Sequence, residues 1–519
     1  MEMQSTQIQS NQWSFIQVVK SIGMWLGLTA LFLLMVGGLS PLYSDTQPYQ
    51  FAFGLAAAGK GQLASDWFAN TKNPWLLFQW LVQFTVQFLG NPFFYLYQIA
   101  LVFIYLYSMV GIADHFFNIR RNKLIFFSFL AIYITSYAVF WPGDYGHELY
   151  SGIATQFMPF QFLIPNSFAA LLFLSIYLFL KEKPAASILS LVISCYFHPS
   201  YLIVGAALVC AYMLVMFLDR KSWKQIVIFG GSTLLLVVPL VLYFYGMNTD
   251  ATQEQFRQAV NITAGFRLQE HTHVEVWWDN YEFIKLIIVL SALFVTRKKP
   301  LFYILLVGFV FVALPTIVLA IHPSNLIGSL MLWRPSMVVV PLATTALIAS
   351  WVSTFFKENQ DELDTHRWWV VLGLTALVLI TLTDGVKLQI DKIEEAQAFQ
   401  VDPLMLFVRE DLEPGDQYLT PIDRLRSSFR LETGAPVFVN WRQHPWGTLD
   451  TIEWYQRIQA AEDFYASENP ARCELILDMV DTYGITHIIM PRSDKFNCPG
   501  WEKIFADEEY RVYTLSGRP

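Results

Sequence analysis

Charged residues are scarce in this sequence. Asp, Glu, Lys and Arg make up 15% of its 519 residues, whereas 55% are hydrophobic and 16% are aromatic. Soluble domains carry about 25% charged residues, so the composition excludes an ordinary soluble protein and indicates a polytopic α-helical membrane protein. Apolar runs close to the roughly 20 residues that cross a hydrocarbon core recur through the first three quarters of the chain. Each must be helical, because lipid offers no partner to free backbone groups.

Cysteine is rare as well. Four cysteines in so long a chain do not make a disulfide scaffold, and their spacing is not that of a metal site. Cys195 and Cys210 lie in apolar runs, which is typical of buried small hydrophobic side chains. Cys473 and Cys498 lie in the polar C-terminal part, where they can form one bridge if that part is exported. A glycine-rich phosphate-binding loop is missing too, so a soluble nucleotide-handling domain is not expected. A nucleic-acid partner is not expected either.

Positive charge is scarce in every second connection between the apolar runs. Clusters of Lys and Arg alternate with connections poor in them, and positive residues in short loops stay on the cytoplasmic side. A polar stretch of about twenty residues precedes the first apolar run, and that run is too long for the apolar part of a signal peptide. We therefore predict that the first run is an uncleaved transmembrane span. The alternation predicts a cytoplasmic N-terminus, a membrane domain over residues 1–384, and about eleven transmembrane helices near 22–42, 92–113, 124–141, 162–180, 185–197, 200–218, 225–246, 284–296, 301–321, 336–355 and 367–384.

The first connection outside the membrane is predicted to be long, over residues 43–91. The apolar segment 75–89 must not cross, because a crossing would place Arg120 and Arg121 outside. Gln79, Gln83 and Gln87 recur every four residues in it and form one polar stripe on a helix. We therefore expect two helices in this connection that lie on the bilayer surface.

The composition changes abruptly after the last span. Residues 385–519 hold 14 Lys or Arg against 23 Asp or Glu and so account for the whole net charge of −8. With eleven crossings this part is extracytoplasmic. Residues 384–400 are predicted to form a short amphipathic helix that leaves the membrane. Beyond it, predicted strands (417–419, 436–439, 487–490 and 510–515) alternate with predicted helices (404–412, 451–465 and 473–483), which indicates a C-terminal α/β domain.

Two aspartates of the first connection are the candidate catalytic residues. Asp45 follows the first apolar run by a few residues. Its carboxylate is thus expected at the membrane surface, where a partly low dielectric can turn it into a base. Asp66 lies further along the same connection. The alternative interpretation of Asp45 is structural, since Ser44 and Asp45 are good N-cap residues for a surface helix.

Four further polar residues outside the predicted spans are candidates for binding a ligand. Arg334 lies at the outside edge of a span, where a guanidinium can bind a phosphate, although it can equally extend to the interface beside Trp333. His147 and Glu148 lie in an outside loop and can line the same cavity, or they are only solvated. His198 precedes a proline at a tight outside turn and can also serve only to end a helix.

Together, these features resemble the GT-C class of integral membrane glycosyltransferases. The resemblance rests on the topology, on the exported α/β domain and on short matches at Ser44-Asp45, Ser65-Asp66-Trp67 and Asn73-Pro74. The C-terminal motif Val439-Asn440-Trp441-Arg442 is similar to the exported tail of bacterial relatives of that class. The resemblance implies a polyprenyl-phosphate sugar as donor and an acidic residue of the first outside loop that acts as catalytic base or orients the acceptor. That role falls to Asp45 first and Asp66 second. The residues that would bind the lipid phosphate or the sugar are then Arg334, His147, Glu148 and His198.

The sequence also departs from better-known members of the class. The paired Asp-Glu of some first loops is absent, since Thr46 follows Asp45, and a divalent metal is not indicated. The expected localisation is a bacterial inner membrane, and the expected partners are membrane lipids, a lipid-linked sugar donor and a glycan, lipid or protein acceptor. Two alternatives remain open: a transporter or flippase for a lipid-linked substrate, and a non-catalytic scaffold of the cell envelope.

Overall fold

The structure is a computed structural model that describes residues 15–138, 148–358, 360–400, 402–422, 425 and 427–516. The described part is predominantly helical. In chain order the helices are α1 (Phe15–Met35), α2 (Gln47–Ala57), α3 (Leu76–Phe84), α4 (Pro92–Phe117), α5 (Lys123–Thr135), α6 (Ala170–Leu180), α7 (Pro184–Phe197), α8 (Tyr201–Leu218), α9 (Trp223–Gly246), α10 (Gln253–Ile262), α11 (Gln269–Thr272), α12 (Val274–Trp277), α13 (Asn280–Thr296), α14 (Pro300–Ile321), α15 (Asn325–Ser329), α16 (Ser336–Glu358), α17 (Gln360–Gln400), α18 (Pro403–Asp411), α19 (Phe429–Thr433), α20 (Thr448–Ala466) and α21 (Ala471–Tyr483).

The helix starts follow from local sequence. Proline stands in the first turn of α4, α7, α14 and α18, where its missing N–H is not needed. Ser222 caps α9 by accepting from Gln225 N–H at 3.3 Å, and the Gln225 side chain accepts from Ser222 N–H at 3.1 Å. Local sequence therefore accounts for the starts of these five helices.

Each of the eleven apolar segments predicted to cross the membrane contains a helix. Within the described residues, six helices are long and apolar enough to span: Pro92–Phe117, Tyr201–Leu218, Trp223–Gly246, Pro300–Ile321, Ser336–Phe356 and Trp368–Ala398. Shorter apolar helices cover Ser21–Met35, Leu76–Leu89, Lys123–Thr135, Pro165–Leu180 and Pro184–Phe197. The protein is thus of the helical membrane class, and the count of eleven crossings stays a prediction.

The last predicted span does not end at residue 384. Helix α17 runs without interruption for 41 residues, so the separate amphipathic helix predicted over 384–400 is wrong. The change from apolar to charged residues marks a change of surroundings, and no helix-breaking proline accompanies it. Helix α17 packs against the end of α1, where a Cβ on Gly385 would lie 2.1 Å from the Leu34 carbonyl oxygen. Lys392, further along α17, donates to the side chain of Gln161 at 2.6 Å.

Two helices form in the first connection, as predicted, but only one has an exposed apolar face. Nine of the eleven residues of α2 are buried, including Phe51 and Leu55, so its prediction as a surface-lying helix is wrong. The side chains of α3 and of the C-terminal residues cover it. Helix α3 and the π-helical turn Thr85–Leu89 that follows it expose Trp80 and Phe88. That exposed apolar face remains consistent with a position at the bilayer surface.

The C-terminal residues 402–516 fold around a four-stranded mixed sheet. The strands β1 (Tyr418–Leu419), β2 (His487–Pro491), β3 (Trp501–Ala506) and β4 (Tyr510–Leu515) are ordered β1-β2-β4-β3. Strands β1 and β2 are parallel, and the other two pairs are antiparallel. The predicted strand 436–439 is present only as an isolated bridge between Val437 and Tyr418, and β3 was not predicted. We call residues 402–516 the C-terminal region.

Cys473 and Cys498 form a disulfide with an S–S distance of 2.00 Å. The bridge joins the start of α21 to the loop before β3. Cys195 is buried and Cys210 is exposed, and both are free thiols. The bridge that the sequence allowed between these two cysteines is thus present.

Candidate functional site

The chain between α1 and α2 carries the first candidate residue. Helix α1 ends at Met35, earlier than the predicted residue 42, and the following turns lead to Asp45. Tyr43 and Asp45 have φ angles of 68° and 54°, in the left-handed region that non-glycine residues seldom adopt. Gln47 fixes this turn, because its side chain accepts from Tyr43 N–H at 2.8 Å and donates to the Leu163 carbonyl at 3.0 Å. Such strain is characteristic of functional sites.

Asp45 lies where two cavities meet. The large cavity, about 1580 Å³, lies between the turn at Asp45, α17 and the C-terminal region. The small cavity, about 680 Å³, lies between the start of α2, the loop before α16 and the C-terminal segment 440–446. Both cavities are lined by Asp45, Leu425, Ser427 and Arg442. A group held at Asp45 can therefore be approached from two sides.

The surroundings of Asp45 favour a carboxylate that can take up a proton. Burial raises its pKa above the ordinary value, while Arg442, Lys392 and the Thr46 N–H each act to lower it. The raised pKa makes the carboxylate a stronger base, and the two cations keep it from being neutralised outright. Asp45 lines both cavities and keeps part of its surface accessible, so its removal from water is only partial.

Arg334 lies in the wall of the small cavity, and within the described residues no carboxylate forms an ion pair with it. Its side chain is only 7% exposed, and its Nη2 donates to the sulfur of Met331 at 3.3 Å. Its Nε and Nη1 are buried and have no hydrogen-bond partner. Burial lowers the pKa of Arg334 to about 10, so the guanidinium is still charged at neutral pH. A buried, unpartnered guanidinium is costly, and an anion bound in the cavity would relieve that cost.

His198 lines the same cavity. Burial and the nearby charge of Arg334 hold its pKa well below the ordinary value, so the ring is neutral. Its Nδ1 is 2.6 Å from the Ser200 hydroxyl. The predicted helix-ending role is also met, since α7 ends at Phe197 and α8 begins at Tyr201. A neutral imidazole can exchange hydrogen bonds with a bound ligand without adding charge.

The other predicted residues are placed differently. Glu148 is not among the residues that line the two cavities, and its carboxylate lies 2.5 Å from the ammonium of Lys285. Lys285 also donates to Glu282 at 3.2 Å and to the Gly152 carbonyl at 3.0 Å. Glu148 is thus part of a charge cluster at the start of α13. His147 lies outside the described residues.

Asp66 is fully buried and both of its oxygens accept hydrogen bonds. Oδ2 accepts from Arg430 Nε at 2.8 Å and from Val437 N–H at 2.9 Å, and Oδ1 accepts from Ala69 N–H at 3.0 Å. Arg430 is 2% exposed. Three donors leave little room for a substrate proton, so the base in the proposal below is Asp45 alone.

Sequence reasoning assigned no site role to several residues of the small cavity. Two are the arginines Arg267 and Arg442, and two are the histidines His271 and His444. His271 Nδ1 is 2.7 Å from the Thr155 hydroxyl, and His444 Nε2 is buried without a partner. With Arg334, three arginines face two lining carboxylates, Asp45 and Glu270, so the cavity favours anions. The motif Trp441-Arg442 was visible in the sequence, but nothing local indicated that it would meet residue 45.

Two comparisons with known proteins bear on this chain. A family model described as a domain of unknown function (DUF6798) matches residues 400–461, which include the segment that lines the small cavity. The structure is similar to the crystal structure of ArnT from Cupriavidus metallidurans bound to undecaprenyl phosphate. The match covers 96% of this chain and 98% of that chain, with a TM-score of 0.48 and 12% sequence identity.

Proposed function

We propose that this protein is a GT-C-type membrane glycosyltransferase that moves a sugar from a polyprenyl-phosphate donor to an acceptor hydroxyl on the extracytoplasmic side. One observation carries the proposal: Asp45 and the unpartnered Arg334 line the same cavity. That arrangement puts a base and an anion-binding cation within one substrate's reach. The resemblance of the first connection to GT-C enzymes supplies the reaction class, and this step is an analogy.

In the proposed reaction, Asp45 takes the proton from the acceptor hydroxyl as its oxygen attacks the anomeric carbon of the donor sugar. The new glycosidic C–O bond forms while the bond from the anomeric carbon to the phosphate oxygen breaks. The bonding electron pair leaves with the polyprenyl phosphate, whose negative charge Arg334 stabilises. His198 and Arg267 supply further donors on the same wall. Asp45 then releases the proton to solvent through the exposed side of the cavities.

The extracytoplasmic location is part of the proposal. The disulfide supports it, because an oxidising compartment is needed to maintain the bridge. The alternation of positive charge along the chain supports it independently. The acceptor can be a glycan, a lipid or a protein, since the large cavity offers space and side chains of both charges.

The test is the transfer of label from a set of radiolabelled polyprenyl-phosphate sugars in membranes that contain the full-length protein. We expect transfer by the wild type, none by Asp45→Asn, and strongly reduced transfer by Arg334→Gln, at equal protein levels. Asp250→Asn is the matched control, because Asp250 is an exposed aspartate that pairs with Lys72 away from both cavities.

Each contrary outcome has a meaning. Full activity of Asp45→Asn would refute the assignment of the base. Absence of transfer from every donor by the wild type would refute the glycosyltransferase. If the protein then still bound undecaprenyl phosphate and moved it across vesicle membranes, the flippase interpretation would replace it.

A further inference from the structure

A buried polar network joins the first connection to the segment that borders both cavities. Asp66 binds Arg430 Nε at 2.8 Å, as described above. Arg430 Nη1 in turn donates to the side-chain oxygen of Gln443, and its Nη2 donates to the Val437 carbonyl at 2.9 Å. The amide of Gln443 then donates to the Pro48 carbonyl at 3.0 Å, in the first turn of α2. The network therefore leaves the first connection at residue 66 and returns to it at residue 48.

All three side chains of the network are at most 2% exposed. Within a buried polar network each member is held by the others, because an unsatisfied polar group in such a place is costly. The charge pair adds to this, since removal of either partner would leave the other charge buried alone. The network is thus a rigid element and not a loose surface contact.

Gln443 is the neighbour of Arg442, which stands on the wall that both cavities share. The backbone of Arg442 is also held, because its N–H donates to the side chain of Asn440 at 2.9 Å. Arg442 itself is exposed and lines both cavities. Gln443, which itself lines the small cavity, is thus one of the anchors that hold Arg442 near Asp45.

We infer that Asp66, Arg430 and Gln443 are positioning residues, which hold Arg442 beside Asp45 and make the docked C-terminal region part of the site. The inference rests on the proposed function for its catalytic consequence, but the anchoring of Arg442 can be tested without any turnover. It also gives Asp66 a role in the reaction that requires no contact with substrate.

The substrate-free test uses a cysteine reporter. Arg442→Cys is introduced into the full-length protein with the exposed Cys210 replaced by alanine, and the rate of labelling by a soluble thiol reagent is measured. Gln443→Met keeps the length of the side chain and the Asp66–Arg430 pair but removes the hydrogen bonds to Pro48 and Arg430. We expect Gln443→Met to change the labelling rate several-fold, and Asp250→Asn to leave it unchanged.

The catalytic test uses the pH profile of sugar transfer by chains that retain Arg442. Arg442 acts to lower the pKa of Asp45, so its displacement raises that pKa, and activity that needs the ionised carboxylate is then lost at a higher pH. We expect Gln443→Met and Asp66→Asn to shift the acid limb to higher pH and to reduce transfer roughly 10- to 100-fold. The other charged side chains and the histidines on the walls of the two cavities are unchanged in these variants. They are Lys392, Lys60, Arg409, Glu395 and Glu432 in the large cavity, and Arg267, Glu270, Arg334, His198, His271 and His444 in the small cavity.

The outcomes separate this inference from the proposed function. Wild-type labelling and an unshifted pH profile in Gln443→Met would overturn the inference, whatever the donor. If the wild type transfers no sugar, the proposed function fails. The effect of Gln443→Met on the labelling rate of the Arg442→Cys reporter then decides by itself whether Gln443 anchors this position. If Asp66→Asn does not fold, Gln443→Met decides, since it leaves the buried charge pair in place.

Discussion

Replacement of Arg334 by methionine should stabilise the protein while it removes a binding function. The guanidinium is buried, and its Nε and Nη1 have no partner. Burial lowers the pKa of Arg334 from 12.5 to about 10. At about 1.4 kcal/mol per pKa unit, the folded protein disfavours the charged guanidinium by roughly 3 kcal/mol relative to the unfolded chain. Below a pH of about 10 the guanidinium is charged in both the folded and the unfolded protein, so its burial lowers the free energy of unfolding by this amount. Methionine fills similar space without the charge, so we expect a gain of about 1–3 kcal/mol in the free energy of unfolding.

The comparison variant is Arg430→Met. This arginine is equally buried but is paired with Asp66, so its removal leaves a carboxylate without its partner. We expect a loss of about 3–5 kcal/mol. The two substitutions are chemically identical. They compare a buried arginine whose Nε and Nη1 have no partner among the described residues with one that is bound to Asp66, Gln443 and the Val437 carbonyl.

The assay is thermal or denaturant unfolding of the full-length protein in detergent, with and without undecaprenyl phosphate. At a ligand concentration one hundred times its Kd, the wild type should gain about 2.7 kcal/mol, and Arg334→Met should gain far less. A loss of stability in Arg334→Met as large as that in Arg430→Met would refute the reasoning, because it would mean that the guanidinium is already satisfied in the free protein.

Three further predictions follow from the geometry. Because burial raises the pKa of Asp45, the wild-type transfer rate should fall on acidification at a higher pH than an ordinary aspartate would give, as a pH–rate profile would show. Cys473→Ser opens a bridge that spans 25 residues and should cost roughly 3–4 kcal/mol of unfolding free energy, measured under non-reducing conditions. Gly61→Ala should destabilise the protein by about 1–3 kcal/mol, since its Cβ would lie 2.7 Å from the backbone of Gly434, whereas Gly59→Ala meets no atom within 4 Å and should cost less.

The sequence predicted the helices of the membrane part well, because hydropathy reports directly on burial in lipid. It predicted the length of α17 poorly, since charge after residue 384 marks entry into water and does not mark the end of a helix. It missed β3, a strand at the sheet edge in which exposed and half-buried residues alternate irregularly. These errors have one cause. A local pattern indicates whether a segment lies in lipid, in water or in the protein interior, but it does not indicate which other segments pack against it.

In the site, too, local position could be predicted from the sequence, whereas contacts between distant segments could not. Asp45 and Arg334 were selected for their positions next to predicted spans, and the structure brings both to one cavity. The contribution of Arg442 could not be predicted, because it depends on contacts between residues nearly 400 positions apart along the chain, such as Gln443 with Pro48. The burial of Asp66 depends equally on Arg430, 364 positions later. No periodicity or motif in either segment carries that information.

Helix α17 is long enough to connect the bilayer to the large cavity. Its 41 residues extend roughly 60 Å at 1.5 Å per residue, about twice the hydrocarbon core. Lys392 and Glu395 near its far end line the large cavity. A tilt of about 5° about the middle of such a rod moves that end by roughly 2.5 Å, and membranes of different thickness change helix tilt. Activity measured in vesicles of increasing acyl-chain length is therefore expected to pass through an optimum, with the lipid acting as a mechanical regulator of the wall around Asp45.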